Sequence, residues 1–249
     1  MAPPLHAFYR VVALDEVAST NDEVLTRARA GAPEGTFVVA RRQTAGRGRR
    51  GRAWESPLGN LHLSLILRPA AGIAAAGAVG FAAALAAREA IVRGLPPGRR
   101  VELKWPTDVL IDGAKAAGIL IETADDALVL GVGINVARHP EGTPYPATSI
   151  HAAGGCGTLD DVLSAFCATF KARWDGFLHD GFGPLREEWL AHARGMGEAV
   201  TIDLEGARLT GVFRAIGEDG ALVLDRGAAG TKRITAGDVF FASAVETGS

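Results

Sequence analysis

The sequence predicts an α+β protein: a mixed, mainly antiparallel sheet with packed helices, followed by a small C-terminal β barrel. Three observations carry this. Runs of alternating apolar residues are interleaved with a few helical patterns up to about residue 193. Tight turns such as Asp112-Gly113 join neighbouring runs as hairpins. From Val200 to Ser243 the chain reads as short strands parted by Glu205-Gly206, Asp219-Gly220 and Gly227 to Gly230. The change of character near Gly195 to Gly197 places a boundary there, giving units of 1–196 and 197–249.

Each element has its own signal. Phe8 to Leu14 reads as a strand, and Thr20-Asn21-Asp22-Glu23 has capping-box spacing for a helix that Gly31 stops. Strands follow at Thr36 to Arg42 and at Leu61 to Arg68, where Leu61, Leu63, Leu65 and Leu67 alternate onto one face. The uncharged stretch from Pro69 to Ala87 is mostly Ala and Gly, too weakly apolar for a membrane span, and reads as part of a buried helix over 72–94. Strands are expected at 101–105, 108–111, 115–123 and 127–136. A Pro- and Gly-rich loop spans 137–157, and helices cover Leu159 to Leu178 and about 184–193.

Composition narrows the function classes. With 48% hydrophobic and 22% charged residues the chain is globular, which excludes a disordered or collagenous protein. Cys156 and Cys167 cannot build a disulfide framework and no Cys/His spacing resembles a zinc site, so a reducing, cytoplasmic setting is expected. The start MAPPLHAFYRVVALDE lacks the basic and apolar regions of an export signal. Net charge of -2 argues against a nucleic-acid-coating protein. Of 26 basic residues only Lys104, Lys115, Lys171 and Lys232 are lysine, so each retained ammonium asks for a reason.

The strongest local signal runs from Arg41 to Trp54, with six arginines and three glycines in fourteen residues. Glycines free the backbone to wrap a ligand, and guanidinium forks match phosphate and carboxylate. A solvated basic patch is the alternative, and it leaves Trp54 and the glycine spacing unexplained. Mutual repulsion among the six guanidinium groups predicts a 43–53 loop that folds down only when anions arrive. Lys104-Trp105-Pro106-Thr107-Asp108 places a cation, an aromatic ring and an acid at a strand end, where Asp108 either holds magnesium or a ligand donor or pairs with Lys104.

Parity is informative in the 127–136 strand. Leu128, Leu130, Val132, Ile134 and Val136 share a buried face, and Gly131, Gly133 and Asn135 share the other. That bare face predicts close approach of a ligand or of another backbone, with Asn135 able to read a base edge; tight helix packing is the alternative. Lys115 and Gly118 would point to opposite faces of a regular strand, so one site for both requires a bulge. Ser19-Thr20-Asn21 is either a helix cap or a hydroxyl and amide cluster for a polar ligand. The histidines show no nucleophile or metal spacing.

Together Ser19-Thr20-Asn21, Gln43, Gly46 to Trp54, Lys104-Trp105-Pro106-x-Asp108, Lys115 to Glu122 and Gly131-x-Gly133-Ile134-Asn135 resemble the biotin protein ligases in order and spacing. The resemblance implies a class II synthetase-like catalytic domain with an SH3-like C-terminal barrel. It implies an enzyme that makes biotinyl-5′-AMP from biotin and ATP, with magnesium, and passes biotin to a lysine of a biotin carboxyl carrier protein. By position, Ser19, Thr20, Asn21, Gln43, Arg47, Gly48, Arg49, Lys115, Gly118 and Gly133 become biotin contacts. Arg47, Arg49, Arg50, Trp54, Lys104, Asp108 and Asn135 become ATP or adenylate contacts; Lys115 and Arg49 are the catalytic pair and Asp108 the magnesium ligand.

Two departures stand out. Thr107 replaces the family's usual Asn, and Gly237-Asp238-Val239-Phe240-Phe241 lacks its usual Arg, so no C-terminal residue is carried over. The resemblance begins by Ser19 and implies a ligase-only form without a DNA-binding domain, free of membrane and nucleic acid, as monomer or homodimer. A lipoate ligase or octanoyltransferase is the nearest alternative enzyme, but those families lack the arginine loop. A nucleic-acid module is the alternative of another class, and residues 198–249 carry more acids than bases, the wrong sign.

Overall fold

The computed structural model describes residues 5–143, 145–204 and 207–241. The predicted Glu205-Gly206 turn and the last residues of the predicted strand series lie outside them. Elements run β1 (Arg10–Val17), α1 (Thr20–Arg29), β2 (Thr36–Gln43), β3 (Leu61–Leu67), α2 (Ala76–Gly94), β4 (Val101–Lys104), β5 (Asp108–Ile111), β6 (Ala114–Ala124) and β7 (Ala127–Ile134). After a long loop come α3 (Leu159–Asp180), α4 (Phe182–Leu190), β8 (Ala199–Leu204), β9 (Ala207–Ile216), β10 (Leu222–Asp225), β11 (Thr231–Ile234) and β12 (Asp238–Phe241).

Seven strands form one sheet in the order β1-β2-β3-β7-β6-β5-β4, with β1 and β2 parallel and the other neighbours antiparallel. Alternation decides its two faces. Leu61, Leu63, Leu65 and Leu67 of β3 and Leu128, Leu130, Val132 and Ile134 of β7 join Phe166, Phe170 and Trp174 of α3 in the main core. The Ala-rich α2 is buried along Ala82 to Ala87, because small side chains let the helix lie close to its neighbours. On the opposite face α1 covers Val38, Ile66 and Val129 with Val24, Leu25 and Ala28, and the glycine half of that face extends beyond this patch.

Two local expectations change, and the bulge that one site for Lys115 and Gly118 requires is present. The first strand begins later than Phe8 and runs to Val17, since its parallel register with β2 holds as far as Gln43. The cap of α1 is Ser19, one residue before the spacing indicated, its Oγ accepting from the Asp22 N–H at 3.4 Å; a full capping box forms instead at Thr158 and Asp161. The register of β5 on β6 shifts between Val109 and Leu110, which is the bulge needed to bring Lys115 and Gly118 together.

The five C-terminal strands form an antiparallel sheet in the order β11-β10-β9-β8-β12. Two contacts lock it to the larger sheet. The segment after α4 runs along β4, with Leu103 N–H donating to the His192 carbonyl and Arg194 N–H to the Leu103 carbonyl, both at 2.8 Å. Trp105, buried after β4, donates its indole N–H to the Gly220 carbonyl at 3.0 Å.

Candidate active site

One cavity of about 400 Å³ opens on the glycine face of the larger sheet. At one end the start of α1 supplies polar groups. Gln43 Oε1 accepts from Thr20 N–H and Oγ1 at 2.8 and 3.0 Å, while its Nε2 donates to Ser56. Ser64 hydroxyl donates to Asn21 Oδ1 at 2.5 Å and the Asn21 amide donates to Glu122 at 2.8 Å. Ser19, Thr20 and Asn21 all line the cavity, and Ser19 is also the cap of α1.

The floor explains the glycines. A methyl group on Gly131 would lie 2.1 Å from Asn21 Oδ1, and one on Gly133 would lie 2.4 to 2.6 Å from the Trp54 indole. The Gly131 half of the bare face is filled by packing within the protein, the alternative reading at that position. Trp54 lies over Gly133 and Gly118, and its indole nitrogen is buried without a hydrogen-bond partner among the described residues. Gly46 sits so tightly under the Trp54 carbonyl and Gln43 that it tolerates no side chain.

The arginine loop is a small hairpin, bridged at Arg47 and Ala53, with a 3-10 turn at Arg49–Gly51. Its arginines are compensated, contrary to the repulsion expected from sequence. Arg41 and Arg42 face Asp15 and Glu16, and Arg47 reaches Asp22 at 2.5 Å and Glu122 at 3.0 Å. Arg49, Arg50 and Arg52 all face Asp238, the first residue of β12. Burial acts against Arg47, but its pairing with Glu122 and Asp22 outweighs this and raises its pKa. At Arg49 burial prevails over Asp238 and the pKa falls.

At the other end Lys115 Nζ is 2.7 Å from Asp108 and 5.6 Å from the centre of the Trp54 ring. The bulge sets this ammonium beside Gly118, 3.4 Å from where a Cβ would be. The backbone of Lys115 also pairs with the long loop, donating to the Pro146 carbonyl and accepting from Thr148. Asn135 lies past the end of β7, where its Nδ2 donates to Thr148; Asn60 Oδ1 accepts the N–H groups of Val136, Ala137 and Arg138 and fixes this turn.

Of the residues chosen from sequence, two fall outside the cavity lining, Lys104 and Arg50. Lys104 is buried with its ammonium 4.1 Å from the Tyr145 ring centre and 4.0 Å from Asp108, and desolvation lowers its pKa. Thr107 turns away too, donating to the Ile119 carbonyl. The assignment of Asp108 to magnesium does not fit: its carboxylate faces two ammonium groups, and among the described residues no His, Cys, Asp or Glu cluster can hold a metal ion. Sequence reasoning missed Asp238 and the lining from Pro140, Thr143, Tyr145 and Ala147, because only the fold brings the C-terminal sheet and the long loop to the cavity.

Comparison with known proteins agrees with this geometry. Residues 15–137 match the Biotin/lipoate A/B protein ligase family and residues 195–242 the Biotin protein ligase C terminal domain. The chain is 40% identical over 234 residues to a biotin--[acetyl-CoA-carboxylase] ligase of Paracoccus denitrificans, covering 90% of this chain and 97% of the relative. It is 36% identical to the corresponding Mycobacterium tuberculosis ligase, covering 91% and 88%. The Aquifex aeolicus biotin protein ligase in complex with biotin and ATP superposes with a TM-score of 0.79 at 28% identity, over 92% of this chain and 97% of that one. Two matched segments and a relative covered almost end to end place the chain: it belongs to the biotin/lipoate A/B protein ligase family, among the biotin protein ligases.

Proposed function

We propose that this protein joins biotin to ATP and transfers the biotinyl group to a lysine of a carrier protein of a biotin-dependent carboxylase. The observation that carries this is the cavity itself, which joins a hydroxyl and amide end to a cationic end across a glycine floor. Hydroxyl and amide groups of Ser19, Thr20 and Asn21 suit the ureido ring of biotin. Gly118 and Gly133 leave room for the flat ligand once the Trp54 indole lifts, and Trp54 then covers the adenylate. Gln43, Arg47 and Gly48 shape the biotin end, with Arg47 held by Glu122 and Asp22.

In the first step a biotin carboxylate oxygen attacks the α-phosphorus, the bond to the bridging oxygen breaks, and pyrophosphate leaves with that electron pair. Lys115 lies where carboxylate and α-phosphate would meet, and Arg49 takes up the charge gathering on pyrophosphate. Magnesium would enter as part of the ATP complex, since among the described residues no cluster of three or more acidic, His or Cys side chains could cage it. Asn135 donates through Nδ2 to the Thr148 carbonyl and accepts a long 3.5 Å contact from Asn60 on Oδ1, whose second acceptor site would take the adenine amino group. In the second step the carrier lysine attacks the acyl carbon, AMP departs, and the amine proton is lost.

We assign residues 1–196 to the catalytic unit and 197–249 to the small β unit, a division supported by the two matched segments. A cytoplasmic location suits Cys156 and Cys167, both free thiols, and no helix among the described residues is long and apolar enough to cross a membrane. Incubation with biotin, Mg-ATP and a biotin carboxyl carrier domain should give labelled carrier and one pyrophosphate per biotin. Unlabelled carrier would reject this reading.

A further inference from the structure

We infer that Glu122 is a positioning residue for the biotin end of the cavity, a carboxylate that fixes which way the Asn21 amide points and holds Arg47 in the same geometry. The inference rests on the ligase reading and deepens it, since Asn21 and Arg47 line the cavity and Glu122, behind them, does not.

Strand parity puts Glu122 there. On β6, Gly118, Leu120 and Glu122 alternate onto the face that carries the cavity, with Glu122 opposite Val129 of β7. Its one carboxylate meets two partners from distant segments. Glu122 Oε1 accepts from Arg47 Nη1 and Oε2 from Arg47 Nη2, both at 3.0 Å, and Oε2 also accepts from Asn21 Nδ2 at 2.8 Å. Arg47 keeps a further contact with Asp22 at 2.5 Å. Asn21 is 4% exposed and the Glu122 side chain 24%, so water competes little for this amide.

The chemistry of the partners makes Glu122 the deciding one. On its other side Asn21 Oδ1 accepts from the Ser64 hydroxyl at 2.5 Å, and Ser64 Oγ is also 2.8 Å from Thr20 Oγ1. A hydroxyl can turn to donate or to accept, so Ser64 would suit either orientation of the amide. An ionised carboxylate only accepts, and an amide oxygen turned toward it would be repelled. Gln at this position would keep the length and shape, but one of its two polar atoms donates, so it would tolerate both orientations and break the Arg47 fork. The bonds to Glu122 and Ser64 use one of the two Nδ2 hydrogens and one of the two Oδ1 acceptor sites. The remaining donor and acceptor are thereby offered in one fixed order to a ureido ring, which itself carries both.

The test reads the amide directly and then its consequence. Heteronuclear NMR of the ligand-free full chain follows the Asn21 side-chain N–H signals in the parent, Glu122→Gln and Asp22→Asn, with melting curves as the fold control. Glu122→Gln should shift these signals and speed their exchange with water by about tenfold or more, as expected for loss of a hydrogen bond to a charged group. Asp22→Asn, which leaves Arg47 on the Glu122 fork, should keep the parent signals. In pyrophosphate release Glu122→Gln should raise the KM for biotin about tenfold while kcat and the KM for ATP stay within about twofold, a split that general loss of structure would not give. Glu122→Asp, acceptor-only but one carbon shorter, should recover part of the slow exchange and part of the KM.

Unchanged Asn21 signals in Glu122→Gln, or a KM for biotin within about twofold of the parent, overturns the inference. Should Glu122→Gln not fold, Ser64→Ala decides. With Glu122 in place the Asn21 amide should keep its slow exchange; exchange raised about tenfold there would mean that Ser64 and not Glu122 orients it. Failure of the ligase reading is seen separately, as absence of biotin-dependent pyrophosphate from the parent, because the amide signals are read without ligand.

Discussion

Lys115 is the side chain on which the proposed chemistry depends most, and its surroundings explain why an ammonium is kept in a chain otherwise rich in arginine. Its Nζ sits between Asp108, the Trp54 ring and the surface of Gly118, a place taken by a compact ammonium and not by a wider planar guanidinium. Lys115→Arg should therefore lose adenylation nearly as badly as Lys115→Ala, by about 10² to 10³ in pyrophosphate release, the cost of one preorganised donor. Retention within about threefold would move the role elsewhere. His62 makes a second residue-scale test. It is buried on β3 opposite Gly133, and desolvation, only partly offset by the Pro57 carbonyl, pushes its pKa down to about 4. The unfolded chain binds this proton near pH 6.5 and the folded one does not. The His62 contribution is thus intact above pH 6.5 and is lost as pH falls through about 4, on the order of 3 kcal/mol in full. Melting curves of the parent minus His62→Leu should show this acid-side loss; parallel curves from pH 7 to 4 would contradict it.

At the scale of elements, β7 shows what sequence could and could not reveal. Parity alone exposed its bare face, because a strand alternates strictly and Gly131 and Gly133 fall on one side. It could not show that Asn21 fills one gap and Trp54 the other, since both lie on distant segments. Likewise the bulge at Ala116 of β6 was legible only as a requirement for uniting Lys115 with Gly118, and the role of the Tyr145 loop was hidden in a stretch with no periodicity. Gly133→Ala should keep the fold, yet a methyl on the floor against which the flat ligand is proposed to lie should overpack that surface by about 1–3 kcal/mol and weaken biotin binding on the order of 10- to 100-fold. Gly176→Ala in α3, where an added methyl meets nothing within 4 Å, should leave binding unchanged and raise stability by about 0.5–1 kcal/mol. Calorimetric titration with biotin separates the two; equal affinities would remove the Gly133 surface from the site.

At the scale of the whole molecule, both sheets contribute to one cavity, the larger through its glycine face and the smaller through Asp238. The fold class was legible because turn chemistry and alternation agree along the chain, whereas the docking of the C-terminal sheet was not, since it depends on single contacts of high sequence separation. Trp105 to Gly220 is the best defined of these. Trp105→Phe keeps the ring but orphans a buried carbonyl, so the denaturant midpoint should fall by the equivalent of about 1–3 kcal/mol. An unchanged midpoint would mean the sheets are held together by apolar packing alone. The central claim, that this cavity activates biotin with ATP, is tested most directly by isotope exchange between labelled pyrophosphate and ATP with no carrier present. Exchange that depends on biotin and is not supported by lipoate or octanoate is the predicted result; exchange driven by lipoate, or none with biotin, would contradict it.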